Sequence, residues 1–184
     1  LFGLVDWPDN VTLFKTGKLE SVYFPDLKTE VYGMSWVKKA YTDLPFPRGI
    51  AVNPECNNIL MLHGDAYSRQ TDYLPIDVSD FSNFDYVALG HIHKPEYLSE
   101  TAAYCGSPEG LSFGESGDHG VIVGKIDAHK CVSEFVPIQK RRYVDLEFEV
   151  TPEMSFDTIK EQILACDTEE NRMKNYYRVT LKGY

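Results

Sequence analysis

The sequence has little of what marks a membrane or secreted protein. None of its apolar runs approaches the roughly 20 residues that a membrane-spanning helix requires, and its first residues do not form a signal-peptide pattern. Cysteines are few and widely spaced, with no C-x-x-C pair and no zinc-finger pattern. We therefore expect a soluble, cytoplasmic protein that does not contact a membrane, with reduced thiols at Cys56, Cys105, Cys131 and Cys166.

Positive charge is also scarce. Lys and Arg number 18 against 28 Asp and Glu, which gives a formal net charge of −10 over 184 residues. Because phosphate contacts come from clustered Lys and Arg, this balance does not favour a large nucleic-acid footprint. The one tight basic cluster, residues 140–142, is either a solvated turn between strands or a phosphate contact.

The most informative stretch is residues 84–95, where an apolar run leads to a glycine and then to two histidines. Residues 86–89 are typical of a strand covered on both faces in an α/β sheet. Gly90 lets the backbone leave the strand, and His91 and His93 point to the same side if the chain stays extended. Two imidazoles so placed ligate one metal or two adjacent ones, or they face solvent and bind nothing.

A second apolar strand, residues 58–62, is also followed by a histidine, His63, and by Gly64. Neighbouring parallel strands end at the same edge of a sheet, where ligands bind in open α/β folds. We therefore expect His63 to stand beside His91 and His93. Three histidines at two strand ends favour a metal site over three unrelated loop residues.

The glycine-rich loop after residue 105 is a second candidate site. Gly106 and Ser107 open this loop, and glycines allow backbone N–H groups to approach a phosphate closely. The same glycines are equally compatible with flexible loop geometry. Gly106 and Ser107 are therefore candidate phosphate-binding residues only.

The flanking segments predict an α/β (α+β) fold. A helical turn or two is expected at 36–41, and a short helix capped by Ser79 or Asp80. Residues 143–150 alternate apolar and acidic side chains, which predicts a half-buried strand. A helix through Cys166 and a last strand at 176–181 would complete a β-α-β appendage. Other strands are expected at residues 10–14, 21–24, 30–35, 102–105, 120–126 and 132–138.

These motifs together carry a family resemblance. They resemble the later motifs of calcineurin-like metallophosphoesterases and, more narrowly, those of SbcD-type DNA-repair exonucleases, the nuclease subunit of the bacterial SbcC/SbcD complex. Residues 138–143 resemble, more weakly, the passage from the catalytic core into that family's capping domain. The motifs that carry the resemblance are Leu62-His63-Gly64, residues 85–95, Tyr104-Cys105-Gly106-Ser107-Pro108 and Phe113-Gly114-Glu115.

The resemblance implies a fold and a chemistry. Residues 1–140 would form half of a metallophosphoesterase β-sandwich with flanking helices, and residues 141–184 the start of the capping domain. His63 and His91 would ligate one Mn²⁺ and His93 the other. The parent protein would be a hydrolase that cleaves DNA phosphodiesters in DNA repair and recombination, with an SbcC-type ATPase as partner.

The resemblance also implies a fragment. A two-metal site holds its cations about 3.5 to 4 Å apart, usually with a bridging carboxylate. The family supplies carboxylates from upstream D-x-H, G-D and G-N-H-D motifs, and none of these occurs before His63. We therefore identify no catalytic residue here, and we expect weak or absent metal binding and no nuclease activity. An uncovered apolar sheet face would favour a homodimer or excision from a larger protein.

Two other histidines lie in motifs with only superficial similarity to the family's metal ligands. Asp127-Ala128-His129 has the D-x-H form but lies between two antiparallel strands, which predicts a hairpin turn. Gly117-Asp118-His119-Gly120 lacks the asparagine ligand and follows the H-x-H motif, so a turn is predicted there as well.

Two other functions stay open. The chain could come from a different calcineurin-like phosphodiesterase or phosphatase that acts on small substrates, although the appendage after Tyr143 favours the nuclease branch. It could also be a non-catalytic scaffold domain that keeps only the fold.

Overall fold

A computed structural model describes residues 5–183 of the chain. The chain divides into two compact units. The first comprises Leu1–His91, Leu98–Ala102 and Ile126–Cys131. The second comprises Ile92–Tyr97, Ala103–Lys125 and Val132–Tyr184. The proposed family boundary near residue 140 remains a prediction.

The first unit is built on a mixed sheet, which confirms the predicted α/β class. Its first four strands lie in the order β1–β2–β3–β4. β1 is antiparallel to β2, whereas β2, β3 and β4 are parallel. The carboxyl ends of β3 and β4 therefore lie at one edge. The bounds are β1 Glu20–Phe24, β2 Thr29–Gly33, β3 Asn57–His63 and β4 Tyr86–Gly90.

One face of this sheet is fully covered and the other is not. Leu60 and Leu89 are buried on the covered face, while Met61 on the opposite face of β3 is 48% exposed. In β4, Tyr86 and Ala88 are only half-buried. The expectation that this strand is covered on both faces is therefore wrong, because the apolar run reports strand propensity as well as burial. Tyr32 of β2, opposite Leu60, is buried on the same side, and Leu74, Ile76, Phe81 and Phe84 are further buried residues of this unit.

Two predicted elements at the start of the chain do not form. Residues 10–14 make no strand, and directly after them the N–H groups of Lys15 and Thr16 donate to the Glu20 carboxylate at 3.0 and 2.9 Å. Residues 36–41 form no helix: Lys38 and Lys39 make a bend, and Tyr41 forms an isolated bridge with Tyr73. The short 3-10 helix Val78–Phe81 is capped by Asp77, which accepts the Ser79 N–H, and not by Ser79 or Asp80.

The second unit contains the predicted appendage. β9 (Tyr143–Val150) and β10 (Tyr176–Gly183) are parallel, with Tyr143 opposite Tyr176. Between them lie α1 (Phe156–Ala165), capped by Ser155, and α2 (Glu169–Lys174), which sequence reasoning missed. None of the helices in residues 5–183 is long and apolar enough to cross a membrane.

Four further strands include residues of both units. They are β5 (Glu96–Ser99), β6 (Ala102–Tyr104), β7 (Gly120–Asp127) and β8 (Lys130–Pro137). β7 and β8 pair as a hairpin, which agrees with the predicted turn at 127–129. Ala128 and His129 occupy that turn with positive φ values of 47° and 65°.

The hairpin tip is fastened within the first unit by His129. Its Nδ1 lies 3.0 and 3.1 Å from the two Asp85 carboxylate oxygens, and its Nε2 lies 3.0 Å from the Pro54 carbonyl. Its backbone N–H donates to the Asn57 side chain. The Asp85 carboxylate raises the pKa of His129, chiefly through the hydrogen bond, and the Pro54 carbonyl adds to the effect.

This contact predicts a pH-dependent contribution to stability. Since the pKa of His129 is higher in the folded state, the stabilisation is fully present below the ordinary value of about 6.5 and is lost as the pH rises through the folded-state pKa. His129→Ala should therefore lower the free energy of unfolding more at about pH 6 than at about pH 8.5, as measured by urea titration. In an Asp85→Asn background the difference between the two losses should shrink, because only the smaller effect of the Pro54 carbonyl still raises the pKa of His129, and a pH-independent loss in the wild-type background would contradict the prediction.

Candidate metal site at the carboxyl edge of the sheet

His63 ends β3 directly opposite Gly90, the last residue of β4. A Cβ at position 90 would lie 3.2 Å from His63 Nδ1, so the missing side chain gives the imidazole its room. His91 follows at once, and its ring lies edge-to-face with that of His63, with centroids 5.3 Å apart. The structure thus brings two of the three predicted histidines together.

The backbone of His91 is strained. Its φ is +115°, a value that non-glycine residues rarely adopt. Residues held in such conformations cluster at functional sites, where the surrounding structure maintains them. Here the Tyr73 ring stacks on His91 at 4.7 Å with an interplanar angle of 27°. The Gly64 N–H donates to the Gly90 carbonyl at 3.1 Å, which joins the two strand ends.

Trp36 contacts the other histidine of the pair, His63. Its indole Nε1 donates to the His63 carbonyl at 2.9 Å, and its ring lies edge-to-face with the His63 ring at 5.6 Å. The loop that carries Tyr73 is also fixed, because Leu74 donates to the Tyr41 carbonyl at 2.7 Å. Sequence reasoning missed both aromatic residues. The only sequence signal that could have indicated their role is that both are large aromatic residues in polar loops near the strands that carry the histidines.

The donor set in the first unit is partial. His63 and His91 offer two imidazole nitrogens, which suit a divalent transition metal. Across residues 5–183 no group of three or more His, Cys, Asp or Glu side chains lies close enough to hold a metal ion. The two imidazoles and the room left by Gly90 fit part of a metal site, and His63 and His91 are the residues that would hold the ion.

His93 belongs to the second unit, where its partner is Glu115. His93 Nδ1 lies 2.7 Å from Glu115 Oε1, and Glu115 Oε2 accepts the Leu111 N–H at 2.9 Å. The hydrogen bond from His93, followed by that from Leu111, lowers the pKa of Glu115 below its ordinary value. A carboxylate that accepts a hydrogen bond from the Nδ1–H of a histidine fixes the ring and leaves the Nε2 lone pair available, as in metal-ligating histidines. Sequence reasoning included Glu115 in a motif but gave it no role.

Gly106 and Ser107 lie against the His93 backbone. Gly106 has φ +73°, and a Cβ there would lie 2.7 Å from the His93 carbonyl oxygen. The Ser107 N–H donates to that carbonyl at 2.9 Å. The Ser107 hydroxyl lies 2.9 Å from both the Glu109 carbonyl and His119 Nδ1. These contacts are internal to the second unit, and phosphate binding by Gly106 and Ser107 remains a prediction.

The basic cluster, residues 140–142, is largely engaged by protein groups. Arg142 pairs with Asp118 at 2.6 Å, and the Arg141 guanidinium lies 5.4 Å from the centre of the Tyr176 ring. Within the described part of the chain, only the Lys140 ammonium of this cluster lacks a carboxylate or aromatic partner. These contacts favour the solvated-turn interpretation.

The strained φ of His91 predicts an unusual order of stabilities. His91→Gly should be more stable than His91→Ala by about 1–3 kcal/mol, because only glycine relieves the backbone strain while both variants lose the ring. At His63, which lies in a regular strand, glycine should be less stable than alanine by about 0.5–1 kcal/mol. Urea titration of the four variants measures both differences. If His91→Gly were less stable than His91→Ala, the strained conformation would be contradicted.

Comparison with known proteins agrees with this chemistry at a coarse level. No family model matches the chain. Over 126 residues, 63% of its length, the chain is 30% identical to the uncharacterized metallophosphoesterase YhaO of Bacillus subtilis strain 168. Over 55 residues, 29% of its length, it is 44% identical to the SbcD subunit of the nuclease SbcCD of Escherichia coli K12.

The matched regions make up 31% of the Bacillus protein and 13% of the Escherichia coli protein, so the chain spans less than two thirds of these relatives. Both relatives carry names of hydrolases that act on phosphoesters or nucleic acids. The similarities therefore support a relationship to metallophosphoesterases and, in general terms, to divalent-metal-dependent hydrolases.

Proposed function

We propose that the chain is part of a metal-dependent phosphodiesterase of the SbcD nuclease type. The observation that carries the proposal is the pair His63 and His91, set side by side at the ends of adjacent parallel strands, with His91 held at φ +115°. In the proposed enzyme these two histidines ligate one Mn²⁺, and His93 ligates a second.

The bound ions would supply Lewis-acid polarisation of a phosphoryl oxygen and activation of water. The described residues prepare the histidines for that task. Trp36 and Tyr73 fix the rings of His63 and His91 by contact. Glu115 holds the Nδ1 proton of His93, which leaves Nε2 as the ligand atom. No residue of this chain is proposed as the catalytic acid.

The proposed substrate is a DNA phosphodiester, and the proposed setting is DNA repair and recombination in the cytoplasm with an SbcC-type ATPase as partner. The support is the 44% identity to the Escherichia coli SbcCD nuclease over the shorter match. The net charge of −10 implies that these residues contribute little of the DNA affinity. Because no carboxylate among residues 5–183 lies close enough to His63 and His91 to bridge two ions, the chain by itself is proposed to be inactive.

A second candidate is a metallophosphoesterase that acts on small phosphodiesters. It is favoured by the longer match, 126 residues, to a relative whose name specifies no substrate. A screen of nucleotide analogues and DNA substrates on a protein that contains this chain together with upstream metal ligands would separate the two. A non-catalytic scaffold is the third candidate, and a protein of that kind would hydrolyse neither.

Metal titration tests the proposed site directly. In a site with two imidazoles and no carboxylate, Zn²⁺ should bind more tightly than Mn²⁺, because imidazole is a better ligand for Zn²⁺ and affinity follows the Irving–Williams order. Loss of either His63 or His91 should weaken Zn²⁺ binding at least about tenfold, the lower end of what a change around a metal ligand costs. Calorimetry on the wild type, His63→Ala and His91→Ala measures this.

His129→Ala is the matched control for that titration, because it also removes a histidine. His129 contacts Asp85 and is not part of the His63 and His91 pair. It should leave the Zn²⁺ affinity unchanged. Equal weakening by all three substitutions, or tight binding of two Mn²⁺ ions per chain, would contradict a partial two-histidine site.

We also propose that the uncovered face of the sheet favours a homodimer of the isolated chain. That face carries Met61, which lines an apolar cavity of about 720 Å³ together with Phe14, Met34 and Trp36. Exposed apolar surface of this kind promotes association. Light scattering at micromolar concentration should show a dimer that Met61→Lys disperses, whereas a strict monomer in the wild type would contradict it.

A further inference from the structure

His119 is the one histidine of the second unit that the proposed function does not use. It is 3% exposed, whereas His93 lies largely in solvent. Its backbone precedes β7, and its carbonyl accepts the N–H groups of Ile138 and Gln139 at 3.2 and 3.3 Å. A buried histidine needs a partner for each ring nitrogen, so its contacts show what it does.

The His119 ring joins two segments that flank His93. Nε2 lies 2.9 Å from the Glu115 carbonyl, and Nδ1 lies 2.9 Å from the Ser107 hydroxyl and 3.2 Å from the Ser107 carbonyl. Because the Glu115 carbonyl only accepts hydrogen bonds, Nε2 must carry a proton and donate it there. Gly110 packs directly on the ring, since a Cβ at that position would lie 3.2 Å from Nε2.

These contacts close a ring of hydrogen bonds around His93. The Ser107 N–H donates to the His93 carbonyl, His93 Nδ1 donates to the Glu115 carboxylate, His119 Nε2 donates to the Glu115 carbonyl, and His119 Nδ1 meets the Ser107 hydroxyl. Removing the His119 side chain breaks this ring of hydrogen bonds at Glu115, the residue whose carboxylate selects the His93 tautomer. The backbone of Glu115 then has one anchor fewer.

We propose that His119 is a positioning residue for His93. It touches neither the proposed metal nor substrate; it holds Glu115 so that the carboxylate keeps the proton on His93 Nδ1 and leaves Nε2 free to bind. The inference rests on the proposed function in one respect only, namely that His93 Nε2 binds a metal ion. The hydrogen-bond ring itself stands on the contacts of the second unit.

Two amide variants separate the contact of His119 with Glu115 from its contact with Ser107. In His119→Gln the amide nitrogen takes the place of Nε2 and preserves the donor to the Glu115 carbonyl. In His119→Asn the amide nitrogen takes the place of Nδ1 and preserves the contact with Ser107. If the contact with Glu115 positions His93, glutamine should retain the wild-type behaviour, while asparagine and His119→Ala should lose it.

The readout is the His93 tautomer, observed in metal-free protein by two-bond ¹H–¹⁵N correlation of the imidazole nitrogens. The wild type and His119→Gln should show His93 as the Nδ1–H tautomer, and His119→Asn should show a mixture with Nε2–H. His129→Ala, in the first unit, should leave the His93 signals unchanged. Unchanged His93 signals in the asparagine and alanine variants, or equal change in all three His119 variants, would overturn the inference.

A Zn²⁺ titration of the same samples distinguishes this inference from the proposed function. If both hold, the asparagine variant should lose about 10 to 100-fold in the Zn²⁺ affinity of the site that contains His93, and glutamine should restore it. If the tautomer responds as expected but Zn²⁺ never perturbs His93 in the wild type, the positioning role stands and the proposed metal ligand fails.

Discussion

The parallel pairing of β3 with β4 determines the candidate site, because its register sets His63 opposite Gly90. Side chains alternate along a strand, so a shift by one residue would turn His63 to the covered face and place the core residues Leu60 and Leu62 in solvent. The same burial that stabilises the sheet therefore also fixes the face on which the His63 imidazole lies. Gly90 completes the arrangement by leaving space beside His63 Nδ1.

The chain fixes its histidines in two different ways. His63 and His91 are held by aromatic contacts, from Trp36 and Tyr73 respectively, and by the strained backbone of His91. His93 is held by a carboxylate, and Glu115 is in turn tied to the buried ring of His119. Both arrangements cost conformational freedom or strain, and strained residues cluster at functional sites.

The sequence predicted what depends on local pattern. The alternation of apolar residues at 143–150 gave β9, and the apolar runs before His63 and His91 gave β3 and β4. It did not predict what depends on distant partners. Residues 10–14 have the composition of a strand, but they join no strand of the sheet.

Side-chain roles were harder still to predict. His119 has the sequence context of a turn, yet its ring is buried between Ser107 and Glu115, which lie 12 and 4 residues away. Tyr73 and Trp36 reach the histidines from loops whose paths are set by tertiary hydrogen bonds such as Leu74 to Tyr41. No periodicity in the sequence encodes such contacts, because each joins segments that only the folded sheet brings together.

The central claim is that His63, His91 and His93 are the metal-binding histidines among the five in the chain. Because Zn²⁺ is diamagnetic and shifts the ¹⁵N resonance of the imidazole nitrogen that binds it, an imidazole NMR spectrum recorded during a Zn²⁺ titration tests the claim for each histidine separately. The account predicts a large shift of the ligating nitrogen in each of these three histidines, while the ring signals of His119 and His129 change little. A first or equally large shift at His129 would contradict it.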